Sequence, residues 1–140
     1  MKKIIQVLAA VAVISAGALA IAAEETPPAK VIAYYFHGSV RCYTCNMMEK
    51  YSRETIETYF KDQVQAGKLV FIPINVDEKN NAHFVNDYQL YTKALILSLV
   101  KDGKEIRHKN LDRIWQLAGN KQKFFDYVTS EINTLMKDAQ

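Results

Sequence analysis

The sequence predicts an α/β domain, because segments with strand periodicity alternate along the chain with segments of helical periodicity. The first unit is a β-branched and aromatic run at residues 31–36, a helical pattern at 46–66 and a second strand pattern at 69–76. A strand, a helix and a strand in this order form a right-handed crossover with a parallel pair of strands. The 140 residues, 49% of them hydrophobic, are enough for one domain with a sizeable core.

Residues 1–23 have the pattern of a cleavable signal peptide. Lys2 and Lys3 give a positive start, an apolar and small-residue run follows, and small-residue cleavage sites end it. An uncleaved anchor is the alternative, since about 20 apolar residues can span a bilayer. Residues 24–30 then form a short charged linker. Both alternatives place the domain outside the cytoplasm, so we expect a periplasmic or otherwise extracytoplasmic protein.

The charge balance predicts no polyanionic partner. Removing Lys2 and Lys3 with the leader would leave 16 of the 18 basic residues against 15 acidic ones, so the formal charge of +3 would fall to +1. A nearly neutral domain has no field that would attract nucleic acid or a strongly charged membrane surface.

The segment from Asn46 to Ala66 predicts one long helix, because it lacks Pro and Gly and has apolar residues at multiples of four. This predicted core stripe consists of Met48, Ile56, Phe60 and Val64. Gly67 is a candidate C-cap for the helix. Pro73 within the following strand predicts an irregularity or an exposed amide position.

The second half of the chain predicts further short elements. They are a helix at 79–89, a strand at 94–100, a hairpin turn at 101–104, a strand at 105–109 and helices at about 110–118 and 121–137. The last helix has an apolar side that predicts packing against the sheet.

Cys42 and Cys45 are the only cysteines of the chain, and they lie where the first strand gives way to the first helix. Two thiols at i and i+3 on a first helical turn lie on one face and can close a disulfide ring. A helix N-terminus favours negative charge and should lower the pKa of the first thiol. A ring this short stabilises a fold little by chain entropy, so we predict redox or metal chemistry for the pair.

With this Cys-Tyr-Thr-Cys motif in place, the sequence resembles the thioredoxin-fold family. The matching segments are VIAYYF and the CYTC motif with its helix, then INVDEKNNAHFVNDY, ALILSLVKDGKE and the amphipathic C-terminal helix, covering roughly residues 30–137. The resemblance implies a secreted or periplasmic protein with a thioredoxin-like three-layer fold over residues 31–137. Its central mixed sheet would have about four strands flanked by helices.

The KDGKE turn and the aromatic-rich tail are also similar to a small bacterial branch labelled nitrophenyl-compound nitroreductase subunit. The chain has no flavin or nicotinamide motif that would supply that activity. We therefore take only the fold and the cysteine pair from the resemblance.

The resemblance implies thiol–disulfide exchange as the leading function. Cys42 is the expected nucleophile, acting through a mixed disulfide with a partner protein, and Cys45 is the expected resolving thiol. Arg41 precedes Cys42 where the family usually has an aromatic residue, and its charge should favour the thiolate. A solvated loop charge is the alternative for Arg41. No cofactor is expected.

The expected partner is a protein disulfide or dithiol, and a membrane-anchored redox protein is one candidate. We expect the protein itself to be a monomer. A third class of function is a docking module without catalysis, in which the tyrosines and Trp115 would form the interface.

A soft-metal protein is the main alternative function, with Cys42, Cys45 and His37 as ligands for Cu(I) or Zn(II). The family usually places a cis-proline opposite the cysteines, whereas this sequence has Leu95 or Ala94 there, which would leave the thiols more open. Against a metal site, zinc sites use three or four strong ligands and this chain offers two. We therefore expect no metal.

The family also has a buried acid on the first strand, and this sequence departs from that pattern. Residues 31–36 carry no charged side chain. Proton transfer at Cys45 must then use water or another group.

Overall fold

A computed structural model describes residues 29–139 of the chain. The strands are β1 (Lys30–His37), β2 (Leu69–Asn75), β3 (Ala94–Lys101) and β4 (Lys104–Asn110). The helices are α1 (Tyr43–Tyr59), α2 (Lys61–Gln65), α3 (Phe84–Asp87), α4 (Ile114–Leu117) and α5 (Lys121–Lys137). The predicted signal peptide and most of the predicted linker lie outside the described residues. Within residues 29–139, no helix has the length and apolar character needed to cross a membrane.

The four strands form one mixed sheet in the order β2-β1-β3-β4. Strand β1 pairs in parallel with β2 and antiparallel with β3, and β4 pairs antiparallel with β3. The central position of β1 explains its unbroken apolar sequence, because both of its faces are covered. This sheet, flanked by helices, confirms the predicted thioredoxin-like α/β fold.

Two apolar layers cover the sheet. On one face, α1 and α5 pack over alternate β1 side chains, and this larger core includes Val31, Ala33, Tyr35, Met48, Ile56, Phe124, Val128 and Ile132. On the other face, the segment from residue 76 to residue 90 covers a smaller core of Phe36, Ile74, Ala94 and Ile96. Because β1 is parallel to β2 and antiparallel to β3, the carboxyl ends of β1 and β2 lie at the same end of the sheet as the start of β3.

The single helix predicted over residues 46–66 is wrong. In the structure a helix begins at Tyr43, breaks at Phe60 and is followed by the short helix α2. Phe60 leaves the helical conformation, with φ −128° and ψ 29°, and places its side chain in the core. Met48, Ile56 and Phe60 are buried as predicted, whereas Val64 is 41% exposed because the break turns α2 out of the register of α1. Gly67, at φ +68°, ends α2 with the backbone hydrogen bonds of a Schellman motif.

Two other predicted helices are shorter in the structure. The segment 79–89 contains only the four-residue α3, and the side chain of Asn81 bonds the Asn75 carbonyl at 3.0 Å in the turns before it. The helix predicted at 110–118 contains only α4, because β4 runs to Asn110 and the Leu111 N–H bonds the Leu95 carbonyl. Pro73 is exposed on the edge strand β2, where its missing N–H removes no ladder bond, as predicted.

Glu105 on β4 ties the segment that carries α3 to the sheet. Its carboxylate accepts hydrogen bonds from Ser98 Oγ at 2.5 Å and Tyr88 Oη at 2.6 Å, and lies 2.8 Å from His108 Nδ1. Burial works to raise the pKa of Glu105, but the three hydrogen bonds together outweigh it and hold that pKa below its usual range.

We therefore expect Glu105 to contribute to the loss of stability in acid. A carboxyl group whose pKa is lowered by folding stabilises the fold fully above its unfolded value of 4.5, and loses this contribution as the pH falls through the folded value. Urea unfolding between about pH 7 and pH 3 should show a smaller acid-induced loss for Glu105→Gln than for wild type. The same loss in both proteins would contradict this role.

Candidate active site

The cysteine pair lies at the N-terminus of α1, as predicted from the sequence. Cys42 is the N-cap residue, with extended backbone at φ −85° and ψ 164°, and its Sγ accepts a hydrogen bond from the Cys45 N–H at 3.0 Å. A thiolate at Cys42 would still accept this hydrogen bond and would lie at the positive end of the helix dipole. Both effects favour the charged form of the sulfur.

Cys42 and Cys45 are joined by a disulfide, and their exposure differs strongly. Cys42 is exposed, whereas Cys45 is 1% exposed. A sulfur of another protein can therefore approach Cys42 but not Cys45. The pair has the unequal access that an attacking and a resolving thiol require.

Arg41 lies against helix α1 and is not free in the loop. Its guanidinium forms an ion pair with the Glu49 carboxylate, and its Nε is buried without a protein acceptor among the described residues. Glu49 also lies 3.5 Å from Arg53 on the same helix. The positive charge of Arg41 is therefore shared with a carboxylate, and the stabilisation of the Cys42 thiolate by Arg41 stays a prediction.

Tyr35 on β1 lies directly beneath the pair. Its hydroxyl donates a hydrogen bond to the Cys45 carbonyl at 2.7 Å, and its side chain is fully buried. Burial raises the pKa of Tyr35 strongly, Arg41 acts to lower it, and Glu49 acts to raise it. Tyr35 therefore remains a neutral hydrogen-bond donor over the physiological pH range.

Sequence reasoning missed both Tyr35 and Glu49 as parts of this site. Glu49 stands four residues after Cys45, and helical spacing alone could have placed the two on one face. No local signal pointed to Tyr35, because its contact with α1 depends on how that helix packs on the sheet.

The loop before Cys42 is held against the loop that follows β2. The Asp77 carboxylate accepts a hydrogen bond from the Ser39 N–H at 2.6 Å, and this bond is the main cause that lowers the pKa of Asp77. A Cβ at Gly38 would come within 2.9 Å of the same carboxylate oxygen. A side chain at residue 38 would therefore require the Asp77 carboxylate to shift.

A cavity of about 230 Å³ opens at the end of the sheet where the carboxyl ends of β1 and β2 lie. Its lining includes Phe36, His37, Val40, Asp77, Tyr91 and Lys93. Val40, Tyr43 and Tyr91 are among the most exposed large apolar residues of the described chain. Val40 and Tyr43 lie within two residues of Cys42 in the chain, and Tyr91 lines the cavity together with Val40.

His37 ends β1, and its Nδ1 lies 3.0 Å from the Gly38 carbonyl. Within residues 29–139, no three His, Cys, Asp or Glu side chains are grouped closely enough to hold a metal ion. The structure brings Cys42 and Cys45 together but does not add His37 to them as a third ligand.

Ala94 and Leu95, the two candidates for the family's cis-proline position, lie at the start of β3. They pair with Phe36 and Tyr35, and no peptide bond within residues 29–139 is cis. The loop before them is held instead by Trp115, whose indole N–H donates to the Lys93 carbonyl at 3.0 Å.

No family model matches the chain, and no curated protein sequence matches it. Among solved structures, mitochondrial thioredoxin 3 from Saccharomyces cerevisiae, in its oxidized form, is 18% identical and aligns over 72% of this chain and 78% of its own, with a TM-score of 0.43. The reduced thioredoxin pre-protein of Schistosoma mansoni is 17% identical, with 68% and 79% covered and a TM-score of 0.40. Fasciola hepatica thioredoxin is 19% identical, with 72% and 80% covered and a TM-score of 0.36. The fold and the site described above therefore rest on the topology and geometry of this chain itself.

Proposed function

We propose that this protein is an extracytoplasmic thiol–disulfide oxidoreductase that exchanges its Cys42–Cys45 disulfide with a partner protein through a mixed disulfide. The observation that carries the proposal is the unequal exposure of the two cysteines at the start of α1. Cys42 is exposed and accepts the Cys45 N–H, whereas Cys45 is 1% exposed. The sulfurs themselves carry the two electrons, so the exchange needs no cofactor.

When the disulfide acts as oxidant, a thiolate of the partner attacks Cys42 Sγ and breaks the bond between Cys42 and Cys45. Cys45 leaves as a thiolate and takes up a proton. A second partner thiolate then attacks the partner's own sulfur in the mixed disulfide and releases the Cys42 thiolate. In the reductive direction, Cys42 attacks a partner disulfide and Cys45 resolves the mixed disulfide. The reduction potentials of the two proteins set the direction.

The neighbours of Cys42 suit contact with a protein partner. Val40 and Tyr43 are exposed apolar side chains within two residues of Cys42, Tyr91 lines the same cavity as Val40, and exposed apolar surface of this kind marks sites of protein contact. They support a docking role within the exchange reaction, so a separate docking function is not needed. No observation on the described residues favours the soft-metal alternative. The proposal does not include nitroreductase activity, because the sequence has no flavin or nicotinamide motif.

The function is tested by equilibrating the purified protein in glutathione buffers of graded potential, then trapping with acid and alkylating the free thiols. Wild type should pass between dithiol and disulfide and should speed disulfide exchange in a model peptide. The Cys42→Ser/Cys45→Ser variant should lose all of that acceleration while keeping the same circular dichroism spectrum. A double variant as active as wild type would contradict the proposal.

The extracytoplasmic location rests on the predicted signal peptide at residues 1–23. The same location suits a pair that works as a disulfide, since thiols outside the cytoplasm are not kept reduced. Cell fractionation and amino-terminal sequencing should give a protein outside the cytoplasm that starts near Ala23. A cytoplasmic protein that keeps Met1 would contradict this part of the proposal.

A further inference from the structure

Each cycle of disulfide exchange moves one proton onto and off the Cys45 sulfur. The Cys45 residue is 1% exposed, so bulk water has little access to its sulfur. A buried thiol in apolar surroundings is also hard to ionise. An efficient exchange therefore needs a proton acceptor inside the protein and close to Cys45.

We propose that Glu49 is the group that takes the proton from Cys45 and returns it. This inference rests on the proposed function and assigns a residue to one of its steps. It is independent of whether the exchange runs as an oxidation or a reduction.

The placement of Glu49 on α1 supports this assignment. The inward side of the helix buries Cys45, Met48 and Ser52. Glu49 stands one turn after Cys45 and three residues before Ser52, which puts it on the same side of the helix. Its side chain is only 18% exposed, so the carboxylate lies at the margin of the buried face.

The charged neighbours hold this carboxylate in place from several elements. Arg41 approaches from the loop before α1, and Arg53 lies 3.5 Å away on α1 itself. Tyr35 approaches from β1, but its hydroxyl hydrogen is donated to the Cys45 carbonyl, so Tyr35 cannot serve as the base. Residues 31–36 of β1 carry no acid at all. Glu49 is thus an acid that α1 itself brings to the side of the helix that carries Cys45.

The Arg41–Glu49 ion pair joins the residue before Cys42 to the helical turn after Cys45. Arg41 precedes Cys42, and its guanidinium contacts a carboxylate one helical turn after Cys45. During resolution, the Cys45 S–H bond breaks and the proton passes to Glu49. The Cys45 thiolate then attacks Cys42 Sγ, and the partner leaves as a thiolate. In the opposite direction, protonated Glu49 returns the proton to the Cys45 thiolate.

The proposal is tested by mixing reduced protein with 5,5′-dithiobis(2-nitrobenzoate) in a stopped-flow instrument. Cys42 releases a first thionitrobenzoate, and Cys45 releases a second one when it resolves the mixed disulfide. Glu49→Gln should slow the second phase about 100-fold near neutral pH, while the first phase changes by less than about twofold. The second phase of the variant should also rise more steeply with pH than that of wild type.

Glu54→Gln is the matched control, because Glu54 lies on α1 but pairs with Lys50 and Lys121. It should leave both phases unchanged. If Glu49→Gln does not fold, Glu49→Asp replaces it and should slow only the second phase. A second phase with the wild-type rate and pH profile in the folded Glu49 variant would overturn this inference alone. A wild type without any second phase would overturn the proposed function instead.

Discussion

The Cys45→Ser variant is expected to accumulate a stable mixed disulfide with its physiological partner, and the Cys42→Ser variant is expected to form none. In Cys45→Ser, the exposed Cys42 can still be joined to a partner sulfur, but no second thiol remains to release it. In Cys42→Ser, the remaining cysteine, Cys45, is 1% exposed, so a sulfur of another protein cannot reach it. Each variant, expressed with its leader, would be trapped with acid and alkylated, and the adducts compared by non-reducing electrophoresis and mass spectrometry.

The doubly substituted Cys42→Ser/Cys45→Ser protein is the control for adducts that form by other routes. Adducts through Cys45 in the Cys42→Ser variant, at the level seen for Cys45→Ser, would reverse the proposed roles of the two thiols. The mass of the trapped partner would also decide whether it is a membrane-anchored redox protein.

The largest expected loss of stability comes from Phe124→Ala on α5. Phe124 is fully buried between α5 and α1, and its ring meets the edge of the Tyr51 ring with centroids 5.5 Å apart. Removing a buried aromatic side chain costs about 3–5 kcal/mol, because transfer energy and packing are both lost. Urea unfolding of the oxidised protein should show this as a lower midpoint with an unchanged slope.

Ile106→Ala on β4 is the matched control, because Ile106 is a large apolar side chain that is exposed on the edge strand. Its unfolding free energy should change by no more than about 0.5 kcal/mol. A cost below about 1 kcal/mol for Phe124→Ala would show that α5 does not pack on α1 as described.

Local patterns in the sequence were sufficient to predict the elements that hold the cysteines. The apolar run at 31–36 became the central strand, and the cysteine pair begins α1. The apolar side of residues 121–137 became α5, which packs on the sheet. These features depend on periodicity and on helix start signals, which neighbouring residues carry by themselves.

Other parts of the fold could not be predicted from such patterns. The apolar spacing continues through Phe60 to Val64, yet the helix breaks at Phe60 and Val64 is exposed. The break depends on where Phe60 meets the core between α1 and the sheet. Spacing along one segment contains no information about the surface on which that segment packs.

The sequence and the tertiary structure determined different features of the candidate active site. The sequence by itself determined the two thiols, their spacing and their place at the start of a helix. Only the tertiary structure decided that Cys45 is buried, that Tyr35 donates to its carbonyl and that Arg41 pairs with Glu49. The physical reason is that burial and hydrogen bonding join residues from separate segments, and their distances exist only once the helix has packed on the sheet.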